Sequence, residues 1–165
     1  MKGRYLIALG SNVRHHRHGA PERVIRAACA AMDADPDLKV KRVSPVLRNT
    51  PIGPSRRRYA NTAAIVHSKL DPSDLLVRLK AVERSFGRRR AGRRWGERVI
   101  DLDIILWSRG PWSTPGVTVP HPAFRERTFV LHPAAAIAPD WRDPLTGLTP
   151  RHLLARLTRP RPAPR

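Results

Sequence analysis

The chain has a single cysteine, Cys29, in 165 residues. No internal disulfide is possible, which agrees with a reducing compartment. In its Ala-rich surroundings Cys29 reads as a small buried residue, not a nucleophile. No run of about 18 apolar residues exists to cross a membrane. The start, Met1-Lys2-Gly3-Arg4-Tyr5-Leu6, runs straight into a strand pattern without a signal-peptide cleavage site. A cytoplasmic protein without a membrane partner is the expectation. Acidic residues are scarce, 13 against 32 Lys plus Arg, for a net charge of +19. Lysine is scarce too, found only at positions 2, 39, 41, 69 and 80. The excess is therefore nearly all arginine, a bias that a GC-rich genome produces unaided. Aromatics make up only 5% and lie mostly near loops, whereas a nucleic-acid-binding sheet needs exposed stacking residues. The charge thus points to small anionic ligands ahead of nucleic acid. With no internal repeat and no dividing linker, residues 1–157 read as one monomeric domain, followed by a disordered Pro/Arg tail over 158–165.

Periodicity orders the rest. Tyr5 to Leu9 reads as a strand closing on a turn at Gly10-Ser11-Asn12. Residues 14–19, with three histidines, read as a solvated loop; no Cys or Asp is spaced to complete a metal site. Pro21 opens a helix to about Met32, with Val24, Ile25, Ala28 and Met32 on one face. Leu38 to Val46 reads as a half-exposed strand. Arg48 to Arg58 is a basic Pro/Gly loop, and Tyr59-Ala60-Asn61 leads into a strand over Thr62 to Val66. Asp71-Pro72-Ser73-Asp74 caps a helix whose buried stripe is Leu75, Leu76, Leu79, Val82 and Phe86, with Glu83 oriented toward the basic segment and Gly87 ending it. Arg88 to Arg98 is an arginine loop that would order on anions. Ser108 to Gly116 reads as turns, Val117-Thr118-Val119 as a short strand or extended run, Val130 to Ile137 as a helix, Trp141 to Thr149 as turns with a short extended piece, and Pro150 to Leu157 as a short amphipathic helix. The order β-α-β-β-α-β predicts an α+β, ferredoxin-like fold with a mainly antiparallel sheet and helices packed on it.

Val99 to Trp107 reads as a buried central strand interrupted by two carboxylates. Side chains alternate along a strand, so Asp101 and Asp103 share one face, ~7 Å apart at Cα, while Leu102 and Ile104 take the other. Two carboxylates in apolar surroundings repel and are costly to desolvate. A hard divalent cation such as Mg²⁺, which takes oxygen ligands and travels with phosphates, relieves both costs. Arginines upstream and His121 downstream suit phosphoryl transfer, which is mostly positioning and charge neutralisation. A different metal-dependent nucleotidyl or glycosyl transferase would use the same Asp-x-Asp spacing.

The segment Arg-Trp-Gly-x-Arg-x-x-Asp-Leu-Asp-Ile, Arg94 to Ile104, resembles the signature of the 6-hydroxymethyl-7,8-dihydropterin pyrophosphokinases of the folate pathway. Four further pieces fall in the same order: Ala8-Leu9-Gly10-Ser11-Asn12, Pro51-Ile52-Gly53-Pro54, Tyr59-Ala60-Asn61-Thr62-Ala63, and Val119-Pro120-His121 followed by Arg127 and Phe129. The resemblance implies transfer of pyrophosphate from ATP to the pterin hydroxymethyl group, with release of AMP. It assigns two Mg²⁺ ions to Asp101 and Asp103, and catalysis to these with Arg98, His121 and Arg127. Arg88, Arg90, Arg94, Ile104 and Thr118, with His121 and Arg127, would bind the nucleotide. Thr50, Pro51, Ile52, Tyr59, Asn61, Trp95 and Phe129 would hold the pterin, Trp95 and Phe129 on its two faces and Asn61 at its edge. Leu47, Asn49 and Ala91 depart from the tyrosine, threonine and lysine found among relatives.

Overall fold

The computed structural model describes residues 2–49, 58–87, 99–160 and 162. Strand β1 (Gly3–Ser11) is followed by α1 (Pro21–Ala34), β2 (Leu38–Val43), β3 (Leu47–Asn49), β4 (Tyr59–Ser68), α2 (Pro72–Ser85) and β5 (Asp101–Trp107). A hairpin, β6 (Trp112–Thr114) and β7 (Val117–Val119), a 3₁₀ turn (Phe124–Glu126), α3 (Thr128–Ile137) and α4 (Pro150–Thr158) complete it. The main sheet runs β2-β4-β1-β5, with β3 also paired to β4. Every pairing is antiparallel. This is the ferredoxin-like order that β-α-β-β-α-β predicts. The aspartate strand is not central, however. β5 closes the sheet at its edge, because the crossover through α2 brings it beside β1 on the side away from β4.

Alternation divides the core between the two faces of the sheet. Tyr5, Ile7 and Leu9 of β1, with Leu102 and Ile104 of β5, pack against Val24, Ile25, Ala28 and Met32 of α1 and Leu75 and Leu79 of α2. Leu6 and Ala63 face the other way, onto Val130, Leu131, Ala134 and Ile137 of α3 and Leu153 of α4. Between Leu6 and Ile7 the β1–β5 register slips by one residue. This bulge turns both Ile105 and Leu106 toward α3, where strict alternation would send only one.

Local chemistry explains most boundaries. Asp71 caps α2 by accepting from Asp74 N at 2.9 Å, and Gly87 leaves the helix at φ +90°. Thr149 and His152 form a reciprocal box at the start of α4. The strand predicted from Leu38 to Val46 ends at Val43, and a separate strand, β3, starts beyond it at Leu47. Ser44 Oγ bonds the Thr62 hydroxyl at 2.7 Å and receives Ala63 N at 2.9 Å, and Pro45 has no N–H to donate to a ladder. β6 and β7 join through Pro115 and Gly116, the latter at φ +92°; β7 is the short extended run expected at Val117–Val119, whereas β6 lies where turns were expected. The turn expected at Gly10 is also absent. β1 continues through Gly10 to Ser11 with no left-handed residue.

The histidine loop is not simply solvated. His15 is 9% exposed, and its Nδ1 accepts from the backbone of Arg17 and His18 at 3.1 and 3.2 Å. Its ring lies 4.3 Å from that of His16, 4.9 Å from His18 and 5.9 Å, edge-on, from Phe86 at the end of α2. Edge-on and tilted contacts of His15 and His18 with Phe86 hold the loop against the end of α2.

Candidate active site

Asp101 and Asp103 stand on the same face of β5, half-buried, with fully covered Leu102 between them on the other. That face belongs to α3 and α4 farther along the sheet. At the Asp101 end the sheet carries little side-chain bulk. Gly10 of β1 lies opposite Asp101 on one side and Asn61 of β4 on the other. The next row is Asp103, Ala8 and Ala63. Directly opposed residues share a face, so Asn61, Gly10 and Asp101 form one row across three strands. The absence of a Cβ at Gly10 is what makes the row fit, because a methyl there would lie 3.1 Å from Asn61 Oδ1. Close approach, not backbone conformation, explains this glycine.

His121 follows β7 and is tied to the same edge. Its N–H donates to the Ile105 carbonyl at 3.0 Å, and its Nδ1 accepts from Ala123 N at 3.2 Å. The neutral ring therefore carries its proton on Nε2, where it can donate to a ligand. Arg127 sits at the start of α3, its guanidinium 5.9 Å from the centre of the Phe129 ring. The 3₁₀ turn between them is fixed by Arg125, which forks onto Asp143 at 2.7 and 2.9 Å.

These groups act on one another electrostatically. Burial first, and then Asp101, push the Asp103 carboxyl above its ordinary range, with His121, Lys80 and Arg127 acting against them. Burial holds the His121 ring below its ordinary value, and the Arg127 charge adds to that, while Asp103 and Asp101 oppose it. A pair of half-buried carboxylates on one strand face suits a hard divalent ion, which takes oxygen ligands. Among the described residues no cluster of three or more His, Cys, Asp or Glu is arranged for a metal. A two-carboxylate site suits Mg²⁺, which takes its remaining ligands from water and phosphate.

The structure thus brings Asp101, Asp103, His121 and Arg127 together, with Asn61 in the same sheet row and Phe129 beside Arg127. Tyr59 lies two residues before Asn61 on β4, 37% exposed. Thr118 is exposed on the hairpin, opposite Ser113. Ile104 is 4% exposed, with its side chain in the core beneath α1 and α2; it lies on the face away from the aspartates. Thr50, Pro51, Ile52, Arg88, Arg90, Arg94, Trp95 and Arg98 lie outside the described residues. Sequence reasoning missed Lys80 and read Gly10 as a turn. The signal for Lys80 was its position three residues before Glu83 on one helix face.

A family model described as 7,8-dihydro-6-hydroxymethylpterin-pyrophosphokinase (HPPK) matches residues 6–139. The chain is 39% identical over 142 residues to the 2-amino-4-hydroxy-6-hydroxymethyldihydropteridine pyrophosphokinase of Pseudomonas aeruginosa, covering 86% of this chain and 84% of that one. The enzyme of the same name from Bacillus subtilis is 37% identical over 132 residues, 79% of this chain and 75% of the relative. Among solved structures, wild-type Plasmodium falciparum HPPK-DHPS superposes with a TM-score of 0.67 over 94% of this chain at 12% identity. This chain spans 44% of that longer one, and the likeness supports the fold.

Proposed function

The chain belongs to the 7,8-dihydro-6-hydroxymethylpterin-pyrophosphokinase family, and from that premise we propose how its residues carry the reaction. The reaction transfers pyrophosphate from ATP to the hydroxymethyl oxygen of 6-hydroxymethyl-7,8-dihydropterin, in folate biosynthesis. The substrate oxygen forms a bond to the β-phosphorus, the bond from that phosphorus to the α-β bridging oxygen breaks, and AMP leaves.

The observation that carries this reading is the row of Asn61, Gly10 and Asp101 beside Asp103, His121 and Arg127. It sets a heterocycle-edge reader next to an acidic pair and two phosphate-binding groups. Asn61 offers a carbonyl oxygen and an NH₂ at once, matching the donor/acceptor edge of a pterin. Phe129, 39% exposed at the first turn of α3, presents a face for stacking, and Trp95 would close the other. Asp101 and Asp103 would hold two Mg²⁺ ions, which neutralise the triphosphate and orient the attacking hydroxyl. His121 Nε2–H and the Arg127 guanidinium donate to phosphate oxygens, where charge builds as AMP departs. Arg88, Arg90, Arg94 and Arg98 would add cationic contacts to the triphosphate, and Thr118 would lie toward the nucleoside; Ile104, its side chain in the core, could contribute only through its backbone. Thr50, Pro51, Ile52 and Tyr59 wall the pterin pocket. Residues 1–157 act as one catalytic domain and 158–165 as a tail. We read the protein as a cytoplasmic monomer whose partners are ATP and the pterin. No helix among the described residues is long and apolar enough to cross a membrane.

Asp103→Ala tests the assignment. AMP release should be abolished while circular dichroism and thermal unfolding report an intact fold. Normal turnover in that variant overturns the cation site.

A further inference from the structure

Among the described residues β5 is an edge strand, and no strand pairs with its outward N–H and C=O groups. Two of them are nevertheless held. The Ile105 carbonyl receives His121 N at 3.0 Å, and Leu102 N donates to Glu83 Oε1 at 2.8 Å. Leu102 is the residue between the two aspartates. Glu83 is 1% exposed, in the last turn of α2, and Lys80 Nζ lies 3.1 and 3.2 Å from its two oxygens.

A carboxylate is a costly occupant at that position. Burial opposes its charge, and the negative end of the helix dipole opposes it again. Leu75, Leu79 and Phe86 share its buried stripe, so a residue serving only to fill space would be apolar. What glutamate adds is reach and an acceptor, delivered to the N–H of Leu102, the residue between Asp101 and Asp103. Two like charges on a strand that pairs in the sheet with β1 would strain that strand at its outer edge. A bond at Leu102 prevents this from outside.

We propose that Glu83 is a positioning residue for the aspartate pair: by holding the Leu102 N–H it sets the separation and aim at which Asp101 and Asp103 present oxygens to a divalent cation. This rests on the reading of the two aspartates as cation ligands. Lys80 is an ion-pair partner that helps make the buried carboxylate tolerable.

Reach and charge can be separated by substitution. Glu83→Gln keeps the length and an acceptor oxygen but removes the charge. Glu83→Asp keeps the charge but is one methylene too short. Mn²⁺ serves as the probe, titrated calorimetrically into the full chain with a non-hydrolysable ATP analogue, alongside wild type and Asp103→Ala. Metal-free melting temperatures and hydrogen exchange at the Leu102 amide are recorded for each. The expected result is Mn²⁺ affinity within about threefold of wild type for Glu83→Gln and at least about tenfold weaker for Glu83→Asp, the range typical of groups that orient metal ligands. Faster exchange at Leu102 should appear in the Asp variant only. Wild-type affinity in Glu83→Asp, or Glu83→Gln as the weaker binder, overturns the proposal. If Glu83→Asp fails to fold, Lys80→Met decides. It leaves the Leu102 bond in place, and a tenfold or greater loss of Mn²⁺ affinity there would assign the effect to charge and overturn the proposal. Absence of Mn²⁺ binding by wild type would instead sink the cation site itself.

Discussion

Replacing Gly10 by alanine should weaken pterin binding without weakening the fold. Gly10 lies inside β1 with no left-handed backbone, so alanine adopts its conformation unstrained and reduces the freedom of the unfolded chain, a gain of roughly 0.5–1 kcal/mol. Against this stands one contact, the new methyl at 3.1 Å from Asn61 Oδ1. That is a few tenths of an ångström too close, and the side-chain amide of Asn61 is the group able to yield. Its displacement costs the pterin two hydrogen bonds, each worth about 1 kcal/mol net. The sum corresponds to a Kd about 30-fold weaker. Calorimetric titration of the pterin in the presence of an ATP analogue measures the loss, and thermal unfolding measures stability. In an Asn61→Ala background the Gly10→Ala effect on pterin affinity should vanish, since the amide it displaces is gone. An unchanged pterin Kd would refute the argument. So would a drop in melting temperature of several degrees, which would mean that the sheet, not Asn61, absorbs the methyl.

Three further outcomes are expected. Burial and Asp101 raise the Asp103 carboxyl, so the folded state holds that proton more tightly than the unfolded chain, and the stability this gives is lost as pH rises through the folded value. Asp103→Asn should therefore raise the metal-free melting temperature at pH 7 and not at pH 3; an equal shift at both refutes it. Phe129→Ala should cost little stability, because the ring is 39% exposed, yet raise KM for the pterin with KM for ATP nearly unchanged in steady-state assays. Burial pushes the Asp143 carboxyl up, but Arg125, Thr146 and the Leu145 amide outweigh it and hold it below its ordinary range. Asp143→Ala should destabilise by about 3 kcal/mol at pH 7 by leaving the Arg125 guanidinium unpaired. In denaturant titrations that loss should shrink as pH falls below the ordinary carboxylate range and through the depressed folded value.

The helices were legible in the sequence to within a turn because their caps and stripes are local. Val24, Ile25, Ala28 and Met32 form the buried face of α1 as their spacing predicts, and Asp71-Pro72 starts α2. The shared face of Asp101 and Asp103 was equally legible, since alternation is a property of a single strand. What spacing could not show was partnership across the sheet. Gly10 looks like a turn residue until Asn61 is placed opposite it. The aspartate strand reads as central from its run of apolar residues, yet it lies at the edge, with α2, β7 and His121 covering the side that a further strand would have covered. The histidine loop reads as solvated because its partner, Phe86, is about seventy residues away. The Arg125–Asp143 fork is likewise invisible locally, since neither residue is spaced to announce the other.

The edge position and the bare end of the sheet are two parts of one arrangement. Were β5 central, a strand on its far side would pair Leu102 and Ile105, leaving no place for His121 to dock through its own backbone. At the edge, the Ile105 carbonyl is available, and docking His121 there brings its ring within electrostatic reach of Asp103. The bulge at Ile105 serves the same end, since it turns two consecutive side chains onto α3 and anchors the helix whose first turn carries Arg127 and Phe129. Level with the aspartates, β1 contributes Ala8 and Gly10 to the shared face, so the trough floor there is backbone and small side chains. The net charge of +19 then acts over a longer range than the site itself. A magnesium-loaded triphosphate still bears negative charge, so the arginine-rich surface draws it in, while the acidic pair engages only its cations. A neutralised surface should therefore slow nucleotide association and leave the bound geometry intact. The test is a salt titration of the association rate, and a rate insensitive to ionic strength would contradict it.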